Sequence, residues 1–180
     1  MIPPYPRRAL FDVEVQKDFF APGGTCYTPS AEQAARNIRR LFRWARRESI
    51  TVLSTMLRVR PNEAGPLAKP AHCVDGTDGE RRLPGTVLGS HVDVGLRSTT
   101  DLPADVLGRY QQIVFEKRHP DPFFHAGAER LLTEMSAATF VVCGAGTAQS
   151  IAATVIGLCS RGFDVRIVSD ATLDLGDPLA

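Results

Sequence analysis

Residues 141–154 read VVCGAGTAQSIAAT, a short apolar run followed by a glycine-rich turn and a run of small, helix-compatible residues. This pattern predicts a buried strand, a tight turn and the start of a helix, a unit typical of parallel α/β sheets. Ser150 falls in the first turn of that helix. Two interpretations fit its position: a nucleophile at the helix N-terminus, or a polar residue that satisfies free backbone N–H groups.

Other short apolar segments, which lack polar–apolar alternation, lie on both sides of this unit. The predicted strands are 9–15, 50–56, 112–117, 139–143 and 164–168. A first helix is predicted to end at residue 47, and it begins either at about Ser30 or at Pro29 after a Thr28 cap. Two further helices are predicted, one from Asp121–Pro122 onward and one over 147–160. Strands that alternate with helices predict a three-layer α/β/α fold with a mainly parallel, Rossmann-like sheet, as one domain over residues 1–180. The segment 58–100 is rich in Pro, Gly and charge, and long connections of this kind are usually functional or flexible.

Polar side chains stand at the predicted carboxyl ends of three of these strands. Glu14 closes the first strand, Lys117 closes the strand 112–117, and Ser150 follows the strand 139–143. Because ligands bind beyond the carboxyl ends of strands in open α/β sheets, we expect these three side chains to form one site.

The composition excludes several classes of function. The chain of 180 residues carries 21 basic and 20 acidic residues, a net charge of +1, so nothing in its charge points to a nucleic-acid partner. No apolar run approaches the roughly 20 residues that cross a bilayer, and the N-terminal residues lack the apolar core of a secretory signal. The four cysteines are widely spaced and form no CxxC pair. We therefore expect a cytoplasmic protein with reduced thiols and a small-molecule ligand.

Four segments in this order resemble the motifs of the isochorismatase-like cysteine hydrolases, and one of them resembles the nicotinamidase-like branch in particular. They are 14–19 (EVQKDF), 71–79 (AHCVDGTDG), 114–117 (VFEK), and the glycine turn with its helix and the later 169–172 (SDAT). The resemblance implies that the catalytic aspartate of the family falls on Glu14, its lysine on Lys117 and its nucleophilic cysteine on Ser150. It also implies an oxyanion-binding turn at Ala145, Gly146 and Thr147, with a non-proline cis peptide between Ala145 and Gly146, and a homodimer or larger assembly.

The chain departs from the family pattern in three places. Glutamate replaces aspartate at residue 14 and serine replaces cysteine at residue 150. Nicotinamidases bind a divalent ion through an aspartate and two histidines after the second strand, but residues 55–63 (TMLRVRPNE) contain neither type. We expect no metal and no cofactor, and Arg58 as a fixed cation that replaces the metal charge or binds an anionic group. The chain also stops soon after the last motif, so we expect the last helix and strand of the family to be missing or supplied by a partner.

The remaining site residues follow from their places in the pattern. Gln16, Phe19, Arg58, Phe123 and Phe124 are predicted to line the substrate pocket, and the four histidines are interpreted as structural or solvent-facing. Asp12 is interpreted as a strand residue or one that supports the site from behind.

Several mechanisms are open for such a site. Ser150 can act as a nucleophile if a base removes its proton, and the candidate bases are Glu14, directly or through water, and a neutral Lys117. Alternatively, Glu14 can act as a general acid that protonates a vinyl ether, as isochorismatases do without a cysteine. The sequence therefore predicts a metal-independent hydrolase of a small amide, carbonyl or vinyl-ether substrate. The other hypothesis is a catalytically silent relative that binds a small molecule or a partner.

Overall fold

A parallel sheet runs through the computed structural model, which describes residues 7–65, 69–137 and 139–176. Six strands in these ranges pair in the order β3-β4-β2-β1-β5-β6, and every pairing is parallel. Their bounds are β1 Arg8–Val13, β2 Thr51–Leu57, β3 His91–Gly95, β4 Gln112–Lys117, β5 Thr139–Ala145 and β6 Asp164–Leu173. The predicted three-layer α/β fold is confirmed.

Helices cover both faces of the sheet. They are α1 Lys17–Phe20, α2 Pro29–Arg47, α3 Val106–Arg109, α4 Ala126–Glu134 and α5 Ala152–Ser160. Helix α2 packs on one face in a core cluster that includes Leu10, Ile38 and Phe42. Helices α3, α4 and α5 pack on the other face, where Phe11 of β1 meets Leu131 and Leu158. Alternate residues of β1 thus enter opposite cores, as a strand buried on both faces requires.

Several element boundaries differ from the predicted ones. Strand β3 was predicted as part of an irregular connection because it is a half-exposed edge strand without an apolar run. Residues 17–20, which lie between the predicted strand 9–15 and the next predicted helix, form the short helix α1. Strand β1 ends at Val13 because Glu14 adopts a left-handed conformation with φ 53°. Strand β6 continues past residue 168 to Leu173 because it keeps pairing with β5 after a register shift.

Helix starts follow their capping residues. Helix α2 begins at Pro29 after an extended Thr28, the second of the two predicted starts. The helix predicted from Asp121 is instead a 3₁₀ turn, Pro122–Phe124, and α4 begins only after His125 caps it by accepting a hydrogen bond from the Gly127 N–H. In the described ranges, no helix is long and apolar enough to span a membrane.

A buried polar network fastens the long connection between β2 and β4 to the sheet. Arg82 donates to Asp12 over 2.7 Å, and both side chains are almost fully buried. Ser54 donates to the other oxygen of the same carboxylate. Burial raises the pKa of Asp12, and the charge of Arg82 opposes that effect. The segment around residue 82 is therefore held by a charge pair inside the protein.

Gly144 allows β5 to approach β1 closely, one residue before Glu14. It lies opposite Val13 with φ 130°, and a Cβ atom there would collide with the Val13 carbonyl. Only glycine fits this position without moving the strand end that carries Glu14.

The Gly144→Ala substitution is expected to lower the free energy of unfolding by about 2–4 kcal/mol, because the new methyl group meets rigid backbone in an unfavourable conformation. Urea unfolding followed by circular dichroism measures this change. Gly89→Ala is the matched control, since a Cβ at residue 89 meets nothing within 4 Å. Equal stability of the two variants would contradict the close approach of β5 to β1.

The Asp12→Asn substitution is expected to cost about 3–5 kcal/mol of stability, because it leaves the Arg82 guanidinium buried without its counter-charge. Asp164→Asn, at an exposed residue that starts β6, is the control and should change stability by less than about 0.5 kcal/mol. Thermal and urea unfolding of both variants test this. A small loss in Asp12→Asn would show that water reaches Arg82.

Candidate active site

Glu14, Lys117 and Ser150 meet at the carboxyl edge of the sheet. Ser150 lies in a wide π turn, Thr147–Ile151, between β5 and α5. Its hydroxyl donates a hydrogen bond of 2.6 Å to Oε1 of Glu14, and the Lys117 ammonium donates to the same oxygen. The exposed fractions are 2%, 5% and 4% for Glu14, Lys117 and Ser150. The structure thus brings the three predicted catalytic side chains together; their roles stay predictions.

The backbone at Glu14 fixes the direction of its carboxylate. Its N–H donates to the Thr55 carbonyl over 3.1 Å, and its own carbonyl accepts from the Gln16 N–H over 2.8 Å. A left-handed backbone at a non-glycine residue costs about 1–2 kcal/mol, so the surrounding hydrogen bonds must hold it in place.

Lys117 is held as an ammonium by three acceptors. Besides Glu14, its Nζ donates to the carbonyls of His119 and Pro120 over 3.0 and 2.9 Å. A neutral amine has only two hydrogens and could not supply three hydrogen bonds. Of the two predicted bases for Ser150, the geometry therefore favours Glu14.

The predicted cis peptide of the glycine turn is absent. The cis peptide recorded in the described ranges is Lys69–Pro70, so the bond between Ala145 and Gly146 is trans. Gly146 instead turns the chain with φ 77°, and its N–H donates to the Leu173 carbonyl over 3.0 Å. The prediction was wrong because the extension of β6 to Leu173 supplies an acceptor for that amide. Gly146 lines the cavity described next, whereas Ala145 and Thr147 are not part of its wall.

A cavity of about 670 Å³, within the size range of small-molecule sites, is lined by Glu14 and Ser150, whereas Lys117 is not part of its wall. Of the predicted pocket residues, Phe19 and Arg58 line it, next to Glu14 and Ser150.

Three predicted pocket residues lie elsewhere. Gln16 is fully buried and bonds the backbone of Leu57 and Glu80 with its amide group, so it ties two segments together. Phe123 packs against Phe11 in the core on the sheet face that α3, α4 and α5 cover, and the Arg161 guanidinium lies over its ring. Phe124 is 68% exposed and stacks on His119 outside the cavity.

Arg58 is a neutralised cation. Its guanidinium lies within 2.7–3.1 Å of carboxylate oxygens of Asp75, Glu80 and Glu116. Arg118, which also lines the cavity, bonds the second oxygen of Asp75 over 2.7 Å. Burial acts to raise the pKa of Asp75, but the hydrogen bonds from Arg58 and Arg118 outweigh it and lower that pKa.

The residues present do not fit the divalent ion that the nicotinamidase resemblance implies. The carboxylates near the end of β2 are already paired with the guanidinium groups of Arg58 and Arg118. Residues 7–65, 69–137 and 139–176 contain no group of three or more His, Cys, Asp or Glu side chains suited to a metal ion.

The nearby cysteines are not suited to replace the missing nucleophile. Cys26 lines the cavity, but burial and, secondly, the charge of Asp18 raise its pKa to about 11. Cys73 is fully buried, and burial followed by the charge of Glu14 raises its pKa above the usual range. Because the thiolate is the reactive form, both thiols are inert near neutral pH.

Asp18 joins two loops that carry cavity residues. Its Oδ1 accepts from the Thr25 N–H over 3.1 Å and its Oδ2 accepts from the Cys73 N–H over 2.6 Å. The neighbours Cys26 and His72 line the cavity.

Sequence reasoning missed His72, Tyr27 and Arg118 as cavity residues. His72 was interpreted as structural or solvent-facing because no second histidine stands at ligand spacing. Its place in the motif 71–79 was the available signal that this loop belongs to the site.

Comparisons with known proteins agree with this architecture. The family model described as the isochorismatase domain matches residues 8–178. N-carbamoylsarcosine amidase from Thermoplasma acidophilum has a similar structure, with a TM-score of 0.72 and 19% identity over 96% of this chain and 87% of that one. Nicotinamidase/pyrazinamidase from Bacillus subtilis is also similar, with a TM-score of 0.72 and 19% identity over 94% and 88% of the two chains.

A third similar structure is an isochorismatase-like hydrolase from Alkaliphilus metalliredigens, with a TM-score of 0.71 and 20% identity over 95% of this chain and 85% of that one. No curated protein sequence matches the chain. At these identities the solved structures establish the fold, and the domain model establishes the family. The chain belongs to the isochorismatase family of hydrolases.

Proposed function

We propose that this protein is a metal-independent hydrolase of small amides and related carbonyl compounds, with Ser150 as the nucleophile and Glu14 as its base. The observation that carries this proposal is the hydrogen bond of 2.6 Å from the Ser150 hydroxyl to Glu14, whose accepting oxygen is also held by Lys117. A serine needs a base within hydrogen-bond reach, and this contact meets that requirement.

The reaction proceeds in two stages. The Ser150 Oγ attacks the substrate carbonyl carbon while Glu14 takes the hydroxyl proton. Collapse of the tetrahedral intermediate breaks the C–N bond, and the leaving amine takes that proton from Glu14. Water, deprotonated by Glu14, then attacks the carbonyl carbon of the Ser150 ester. The C–Oγ bond breaks and Oγ takes the proton from Glu14, so the products are the carboxylic acid and a restored Ser150 hydroxyl.

Lys117 acts as a fixed charge in this scheme. Its three hydrogen bonds hold the ammonium against Glu14 and keep the carboxylate oriented toward Ser150. The same contacts argue against vinyl-ether cleavage, because a general acid must carry a proton. Glu14 instead accepts hydrogen bonds from both Lys117 and Ser150, which is the arrangement of a base.

A catalytically silent binding protein is the second candidate. The observation that favours it is the bond from the Gly146 N–H to the Leu173 carbonyl, which occupies an amide that the resemblance assigns to the oxyanion. Loss of one oxyanion donor costs acyl-transfer enzymes about 10²–10³ in rate.

The first test measures ammonia release from a panel of small amides by wild type, Ser150→Ala and Glu14→Gln. Both substitutions are expected to lower turnover at least about 100-fold, since one removes the nucleophile and the other its base. Ser160→Ala, at an exposed serine at the end of α5, is the control and should keep full activity. Unchanged turnover in Ser150→Ala would sink the nucleophile assignment.

The second test is intact-protein mass spectrometry of wild type and Ser150→Cys after incubation with the same amides. The proposal expects an acyl adduct of the substrate on both, with more on the cysteine variant because a thiol transfers its proton to Glu14 more readily. Adducts and turnover confined to Ser150→Cys would favour the silent binding protein. The scaffold would then be intact and the natural protein would lack hydrolysis.

A further inference from the structure

We propose that His72 determines the ligand class of this cavity: its Nε2 atom accepts a hydrogen bond from an N–H or O–H group of the ligand. The cavity then selects small amides that carry a second hydrogen-bond donor away from the carboxamide. This inference rests on the proposed function, because it assumes that the ligand occupies the same cavity as Glu14 and Ser150.

The hydrogen bond on the other ring nitrogen defines the tautomer. Nδ1 of His72 lies 2.6 Å from the Pro70 carbonyl oxygen. A carbonyl oxygen only accepts, so Nδ1 carries the hydrogen. In the neutral ring, Nε2 is then a free acceptor.

The ring is held in one orientation. The ring packs at a tilt of 59° against Phe19, with the centroids 5.4 Å apart, and the residue lines the cavity although it is only 9% exposed. Within the described ranges Nε2 has no hydrogen-bond partner, yet it is not among the fully buried unpaired atoms. His72 lines the cavity, and with Nδ1 bonded to Pro70 and the ring packed on Phe19 we assign Nε2 to the cavity side of the ring.

The other side chains of the cavity wall determine how much the His72 acceptor contributes to ligand selection. Of the charged residues that line the cavity, Arg58, Lys69 and Arg118 are donors only, whereas the carboxylates of Glu14 and Glu63 accept. His72 adds a neutral acceptor, which pairs with a hydroxyl, an amino or an amide N–H group. A ring nitrogen of the pyridine type placed opposite Nε2 would direct its lone pair at the lone pair of Nε2, so His72 offers such a ligand no hydrogen bond.

Binding to the Ser150→Ala protein tests this without turnover. The probes are benzamide, 3-hydroxybenzamide, 4-hydroxybenzamide and nicotinamide, and their binding is measured by isothermal titration calorimetry at pH 8. They share a carboxamide for the Ser150 end and a flat ring, and differ only in the second polar group. At least one hydroxybenzamide is expected to bind up to about tenfold more tightly than benzamide, the size of one neutral hydrogen bond. Nicotinamide should bind no more tightly than benzamide.

Substitutions of histidine residues in the Ser150→Ala protein test whether His72 causes the hydroxyl preference. His72→Phe should remove the hydroxyl preference, and His72→Gln should keep part of it because its amide oxygen also accepts. His91→Phe is the matched control, since His91 makes the same type of ring-to-carbonyl bond, to Leu88 over 2.8 Å, outside the cavity. If His72→Phe melts well below its parent, His72→Leu serves as the second variant without an acceptor.

Three results would overturn the inference: no hydroxyl preference in Ser150→Ala, a preference that survives in His72→Phe and His72→Leu, or no binding of any probe at 10 mM, about the weakest range the method measures. Hydrolysis is judged separately. Turnover by wild type without a hydroxyl preference supports the proposed function and contradicts the role of His72. A hydroxyl preference that depends on His72, without turnover by wild type, supports the role of His72 and contradicts the proposed function.

Discussion

Oε1 of Glu14 accepts hydrogen bonds from Lys117 and Ser150, and the rest of the site is arranged around this oxygen. A buried carboxylate is tolerated only with a well-placed counter-charge, so the ends of β1 and β4 and the turn after β5 must all keep their places. The sheet order meets this requirement because β1 lies between β2 and β5, with β4 one strand further. Gly144 provides the close approach that brings the turn to Glu14. The need to keep these three segments in place around Oε1 of Glu14 therefore governs both the fold and the site.

The sequence predicted the parallel sheet and the meeting of Glu14, Lys117 and Ser150, because short apolar runs and strand-end polar residues are local signals. It could not predict what long-range partners decide. Gln16 looked like a pocket residue, but its amide bonds the backbone 41 and 64 residues away. His72 looked structural, but its position depends on Phe19 and Pro70.

The turn around Gly146 is a second case in which a long-range partner decides what the local sequence cannot predict. The residues around Gly146 suit a strand-to-helix turn with either a cis or a trans peptide bond. The partner of the Gly146 N–H is the carbonyl of Leu173, a residue far away in the sequence. That carbonyl belongs to the end of β6, which the apolar pattern placed five residues too early. A shift in strand length at the edge of the sheet thus changes which donors remain for a reacting carbonyl.

The two bonds that Asp18 accepts, from Thr25 and Cys73, have a thermodynamic consequence for ligands. They connect the loop of Tyr27 to the loop of His72 through one carboxylate, so a displacement of either loop strains a hydrogen bond that also holds the other. Because these bonds form within the folded chain, much of the loop entropy is lost on folding and not on ligand binding. Affinity changes from substitutions on the two loops are then expected to be non-additive, although their side chains belong to separate segments of the chain.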